Sequence, residues 1–180
     1  MLLTELLLIS LFILVINQLS SLIAHKRSTL IREPFTPLPD ILHDIFPVID
    51  KNTPDYFLCI LLLNHIYSYD SMIEYDYNPL IYSLLLRPFF VISTTLPSCS
   101  KDIHRNEESY YNRIFVTSHD LMYSGHTLFF LFFGNSYRGN TRVIIQYILP
   151  LTLISSRQHY TIDVLVSIFI YNYFNISFNM

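Results

Sequence analysis

Residues 2–24 read L-L-T-E-L-L-L-I-S-L-F-I-L-V-I-N-Q-L-S-S-L-I-A, and this stretch decides the class of fold. As a helix it is long enough to cross a hydrocarbon core of roughly 30 Å. In lipid the backbone must satisfy its own N–H and C=O groups, so apolar runs of this kind are helices. No basic residue precedes the run and no A-x-A pattern closes it, so it reads as a retained span and not as a cleaved signal peptide. Glu5 falls at the interface.

Outward from that span, further apolar stretches run over about 56–69, 79–97, 119–135, 142–156 and 160–178, bounded by polar or charged turns. The expectation is an all-α polytopic integral membrane protein: one domain over 1–180 with about six transmembrane helices and a polar first loop. The stretches 56–69 and 142–156 are short for full spans and need tilt or local thinning of the bilayer. The loop 25–55 carries five of the nine prolines. Within it, T-P-L-P-D (36–40) and F-P-V-I-D (46–50) cannot be helix interiors, because proline lacks the N–H and clashes with the preceding turn. The loop therefore holds at most a short helix. Tyr67, Tyr69, Tyr75, Tyr77, Tyr110, Tyr111, Tyr171 and Tyr173 crowd the ends of the stretches, as interfacial aromatics do. Asn17 and Asn64, inside apolar runs, are placed either to hydrogen-bond between helices or to face the interface. No internal repeat is visible.

Composition agrees with a membrane chain. Hydrophobic residues are 52% and charged residues 14%, against roughly 45–50% and 25% in ordinary soluble domains. A net charge of −3 is too weak to steer nucleic acid, which is not expected as a partner. Cys59 and Cys99 define neither a disulfide framework nor a zinc site, and the redox compartment stays open.

Six spans fix the faces by alternation. Loops 25–55, 98–118 and 157–159 fall on one side; loops 70–78 and 136–141, with both termini, fall on the other. Y-S-G-H-T (123–127) and R-Q-H-Y-T-I-D-V (157–164) therefore return to one face after a single helical hairpin. Ionisable side chains at the margin of apolar runs are costly unless they do something. Asp163 follows His159 by four residues, so on a helix carboxylate and imidazole share a face. Such a carboxylate holds the ring in one tautomer and favours the positive charge it develops when it attacks phosphorus. His126 is placed to protonate a leaving alkoxide and later take a proton from an incoming hydroxyl. Arg87 and Arg157 are candidates to counter phosphate charge with their planar forks of donors. Neither a glycine-rich phosphate loop nor a divalent-metal carboxylate cluster is apparent, so no cofactor or metal is required. His65 and His25 read as interfacial histidines.

Taken in order, T-P-L-P-D (36–40), L-L-R-P-F-F-V-I-S-T-T-L-P (85–97), H-D-L-M-Y-S-G-H-T (119–127) and H-Y-T-I-D-V (159–164) resemble the sphingomyelin synthase family, within the phosphatidic acid phosphatase type 2 superfamily. The last two segments are the specific ones. The resemblance implies a six-span transferase that moves a phosphorylated head group from a glycerophospholipid donor to ceramide and releases diacylglycerol. It implies that His126, His159 and Asp163 form the catalytic triad, and that Asp120 matches an acidic position six residues before His126. The chain departs from the family in having Ser118-His119 where Cys-Gly is usual, and Arg87-Pro88 where the third span usually has Arg-Ser. Arg-Pro is a feature of the lipid phosphatases. Those enzymes, however, place a Lys seven residues before the Arg, where this chain has Leu80, and they keep five residues between the Ser-Arg pair and the histidine, where this chain has only Gln158.

Three functions follow as expectations. The leading one is ceramide phospho-head-group transfer, with phosphocholine first and phosphoinositol or phosphoethanolamine open. The second is a lipid phosphate phosphatase with water as acceptor. The third is a non-catalytic lipid binder or scaffold, supported only by the altered 118–119 pair. Membrane lipids are the expected partners, with a homo-oligomer left open. The resemblance places the active site on the lumenal or exoplasmic face of Golgi, endomembrane or plasma membrane. Lys26, Arg27, Arg32, Lys51, Lys101, Arg105, Arg113 and Arg157 gather on the catalytic side, against Arg138 and Arg142 opposite, which by the positive-inside rule points to the cytosol. The sequon at Asn175 is expected to be unused.

Overall fold

Prolines mark where the chain begins, bends and breaks its helices. The computed structural model describes residues 3–30, 38–67, 76–94 and 123–179, and these are helical with no strand among them. In chain order they are α1 (Leu3–Leu30), α2 (Ile41–Ile45), α3 (Thr53–Tyr67), α4 (Asn78–Ser93), α5 (Gly125–Gly134), α6 (Gly139–Val143), a π-helical turn (Ile144–Ile148), α7 (Leu151–Ser155) and α8 (Thr161–Asn179). Pro54 and Pro79 sit in the first turns of α3 and α4, where the absent N–H would have had no helical partner.

Pro88 lies inside α4 and removes the N–H that would bond the carbonyl of Leu84. The amide of Asn17, from α1, replaces it: Nδ2 donates to Leu84 O at 3.0 Å while its Oδ1 accepts from Arg87 Nη1 at 3.1 Å. Asn17 is thus an interhelical hydrogen-bonder, and a second tie runs from the Arg27 guanidinium to the carbonyl of Ile92. Asn64 bonds the hydroxyl of Tyr137 at 2.7 Å.

The core is built on α5. A helix apolar on every side must be buried on every side, and Leu128, Phe130, Leu131, Phe132 and Phe133 are all buried. Around them pack α3, α4, α8 and the π turn, supplying Leu61, Leu80, Val164, Ile170 and Ile145. The outer faces of α1 and α8 remain apolar and exposed, with Leu8, Leu11, Phe12, Leu165 and Phe169 among them.

Two expected spans look different in three dimensions. In place of a helix over 119–135, the described part is the shorter Gly125–Gly134. Ser124 turns the chain into it, its Oγ accepting from Thr127 N–H at 3.2 Å as an N-cap. In place of one helix over 142–156 there are three pieces. Proline at 150 cannot donate and its ring clashes with the carbonyl four residues back. The chain widens ahead of it into π turns, with Leu149 N bonding Ile144 O at 2.9 Å, and restarts as α7. Among the described residues, Thr161–Phe178 is the one stretch long and apolar enough to cross a membrane. Leu8–Ala24, Asn78–Ser93 and Gly125–Gly134 are shorter apolar helices.

Two residues expected at the interface are instead in the core. His65 is buried against the rings of Phe132 and Phe133, with centroids 5.5 and 5.2 Å away. Tyr171 is fully buried, its hydroxyl taking a bond from Asn135 Nδ2 at 2.8 Å. Tyr67, by contrast, is exposed.

Candidate active site

The turn between α7 and α8 carries the first histidine. Gln158 N and His159 N both bond the carbonyl of Leu153, so the chain wraps tightly over the end of α7. This wrap needs a left-handed residue, usually glycine, and here Arg157 takes it with φ 58°. Its guanidinium donates to the carbonyls of Ile154 (3.1 Å), Phe46 (3.3 Å) and His43, binding the 38–50 segment to the turn. Arg157, expected to face phosphate, is engaged with backbone carbonyls.

The start of α8 carries the acid. Asp163 Oδ2 accepts the N–H of Tyr160 at 2.9 Å, the backward half of a capping box. The same oxygen lies 3.2 Å from His159 Nδ1. A carboxylate can only accept, so Nδ1 carries a proton, and in the neutral ring the lone pair falls on Nε2. The Asp163 side chain is fully buried and that of His159 is 9% exposed, so the pair acts in a largely water-excluded setting.

Asp40 completes the N-terminus of α8 from outside. Its Oδ2 and Oδ1 take the Thr161 N–H and hydroxyl, each at 2.6 Å, while Oδ1 also caps α2 through Leu42 N at 3.0 Å. Burial pushes the Asp40 carboxyl up, but the bonds from Thr161 and Leu42 and the nearby His43 outweigh it and hold it below the usual carboxylate value. His43 sits beside it, Nε2 donating to the carbonyl of His159 at 3.0 Å and its ring stacked on Tyr160. The hydroxyl of Tyr160 accepts from Leu38 N at 2.9 Å. Residues 38–50 of the first loop are thereby a strap that fixes the turn carrying His159.

The second histidine arrives on α5. Ser124 N donates to Ser167 Oγ at 2.8 Å, which in turn donates to Asp163 O, tying the start of α5 to α8. The rings of His126 and His159 are then 6.4 Å apart, centroid to centroid, and tilted by 59°. His126 is the more open of the two, its side chain 36% exposed, and its Nε2 lies 2.8 Å from Asp55 Oδ1. Hydrogen bonding from His126 holds the Asp55 carboxyl below its usual value against the opposing effect of burial.

Arg87 lies beside this group without pointing its donors freely into it. Its Nε bonds Tyr123 O at 3.0 Å and Nη1 bonds Asn17, and a Cβ on Gly125 would stand 3.7 Å from Nε. Asp120 and the Ser118-His119 pair lie outside the described residues. Among the described residues, no cluster of three His, Cys, Asp or Glu side chains is arranged to hold a metal ion. Asp55, His43 and Asp40 were not singled out by sequence reasoning. The available signal for Asp55 was an acid after a proline at the head of an apolar run.

Residues 118–179 match the family model described as PAP2 superfamily C-terminal. That segment, about a third of the chain, contains His126, His159 and Asp163 and is similar to the PAP2 superfamily, whose members are membrane-associated phosphoryl-transfer enzymes. The match fits phosphatase or phosphotransferase activity. No curated protein matches the chain.

Proposed function

We propose that the chain is a six-span membrane transferase that moves a phosphorylated head group from a glycerophospholipid to ceramide. The observation that carries this reading is the His159–Asp163 pair, desolvated and 6.4 Å from the ring of His126. His159 Nε2 attacks the phosphodiester phosphorus and the bond to the diacylglycerol oxygen breaks, with His126 giving that oxygen its proton. The head group is left on His159. The primary hydroxyl of ceramide then attacks phosphorus, its proton passes to His126, and the phosphorus–nitrogen bond breaks. Phosphocholine is the leading head group, with phosphoinositol and phosphoethanolamine as alternatives.

The short Arg157-Gln158-His159 spacing and Leu80 favour the transferase branch of the superfamily. Arg87-Pro88 favours a lipid phosphate phosphatase, in which water replaces ceramide in the second half, and the superfamily match fits either activity. The active site then faces the lumen or the exoplasm, and the excess of Lys and Arg on that side partly serves the phosphate.

The test puts purified protein in liposomes with labelled ceramide and one donor phospholipid at a time. A labelled, donor-dependent sphingophospholipid is the expected product. Phosphate or phosphorylated head group released without ceramide would move the protein to the hydrolases. Asp163→Asn should lower turnover by about 10³–10⁴-fold, as loss of a tautomer-fixing carboxylate does, and His159→Ala should abolish it. Both should melt close to wild type, and a variant retaining most of the rate would sink the mechanism.

A further inference from the structure

The geometry points to Asp55 as the positioning residue of His126: its carboxylate holds the ring by Nε2, so that the proton exchanged with substrate travels through Nδ1. This rests on the reading of His126 as the acid and base of the reaction. A carboxylate offers no hydrogen, so the 2.8 Å contact puts the proton on Nε2. The site then contains two His–Asp pairs with opposite polarity. His159 is bound through Nδ1 and reacts through Nε2; His126 is bound through Nε2 and reacts through Nδ1.

Three observations support a built pair. Asp55 is in the first turn of α3, where a negative charge is favoured by the helix dipole and where buried Pro54 fixes the backbone. The segment just before it is stitched to the His159 turn, through Ile49 N to Ser155 O at 3.2 Å and the Gln158 amide to Lys51 O. The position of Asp55 relative to both rings is therefore set by the strap. Finally, the Asp55 side chain is 49% exposed and that of His126 36%. A pair so open contributes little to folding, so its value lies in the orientation and charge of the ring. Among the described residues, the Asp55 carboxylate from α3 and the His159 ring from the α7–α8 turn are the groups seen against the His126 ring, with the Arg87 guanidinium beside neighbouring Gly125. Of these, only Asp55 is negative.

The test uses the full chain in lipid, with ¹⁵N-labelled histidine and the ring signals of His126 assigned by their disappearance in His126→Gln. Wild type should show an Nε2 proton shifted downfield, and Asp55→Ala should lose that shift. In the same preparation Asp55→Ala and Asp55→Asn should lower kcat at least about tenfold, within what general acid–base catalysis supplies. Donor KM should stay within about twofold, and Asp55→Glu should recover part of the rate. Persistence of the ring-proton shift in Asp55→Ala, a loss confined to KM, or a kcat within about twofold of wild type would overturn the assignment. Wild type that turns over no lipid would sink the proposed function, while the ring proton still judges the pair on its own.

Discussion

Arg157 carries a backbone conformation that most side chains avoid, at a cost of about 1–2 kcal/mol, and offsets it with bonds to three carbonyls. Glycine and alanine at this position separate the two effects. Both lose the guanidinium, but glycine alone relieves the strain, so Arg157→Gly should be more stable than Arg157→Ala by about 1 kcal/mol in denaturant unfolding. Asp40 is the residue that joins the strap to α8. Because its folded carboxyl is held below the unfolded value of 3.8, the stability it contributes is complete above that pH. It is lost as pH falls through the lower folded value. Asp40→Asn should therefore show a smaller drop in melting temperature between pH 5 and pH 3 than wild type. An equal drop in the two proteins would remove Asp40 from the acid limb.

At the scale of the helix, a defect in one element is answered by a side chain of another. Pro88 deprives Leu84 O of its helical donor, and Asn17 supplies one from α1. Replacing Asn17 by Leu should cost about 1–3 kcal/mol, the range for stranding buried polar groups. In the Pro88→Ala background the helix can bond Leu84 itself, so the same change should cost less. A double-mutant cycle measured by unfolding reads that coupling, and additive costs would contradict it. The π turn has an equally specific neighbour. A Cβ on Gly134 would stand 2.3 Å from Gln146 Cγ, and the Gln146 amide is pinned to Leu131 O at 2.8 Å and Asn135 Oδ1 at 2.9 Å. Gly134→Ala should destabilise by about 1–3 kcal/mol through overpacking, whereas Gly125→Ala, with ordinary contact to Arg87, should leave the melting temperature nearly unchanged.

Across the whole molecule, polar groups gather at two opposite ends of an apolar body. One end holds the 38–55 strap with Ser124, His126 and the 155–161 turn. The other holds Asn64, Tyr137, Asn135, Arg142, Gln146 and Tyr171. If the apolar body lies across a bilayer as proposed, single cysteines at Lys51 and at Gln158 should label from the same side of sealed vesicles. A cysteine at Arg138 should label only from the other side. Labelling of all three from one side would rule out the six-span arrangement. Which face reacts would also settle whether the Lys and Arg excess marks the cytosol or a phosphate-binding surface.

The helical class of this protein was determined by its sequence, because apolar runs and proline positions act locally on the backbone. The histidine–aspartate candidates were legible for the same reason. Asp163 stands one helical turn after His159, and Ser124 caps the helix that His126 begins. Tertiary structure alone decided what surrounds them. Asp40 and His43 come from the strap and Asp55 from the head of α3, all more than a hundred residues before His159, and no periodicity links them to it. Arg157 is a phosphate-ligand candidate by type and position, and its guanidinium also bonds the carbonyls of His43 and Phe46 in the strap and of Ile154 in α7. His65 and Tyr171 looked interfacial by type, yet the rings and amides of neighbouring helices bury them. Spacing along a chain fixes which side chains share a helix face; which groups meet across elements depends on packing, which one-dimensional order does not encode.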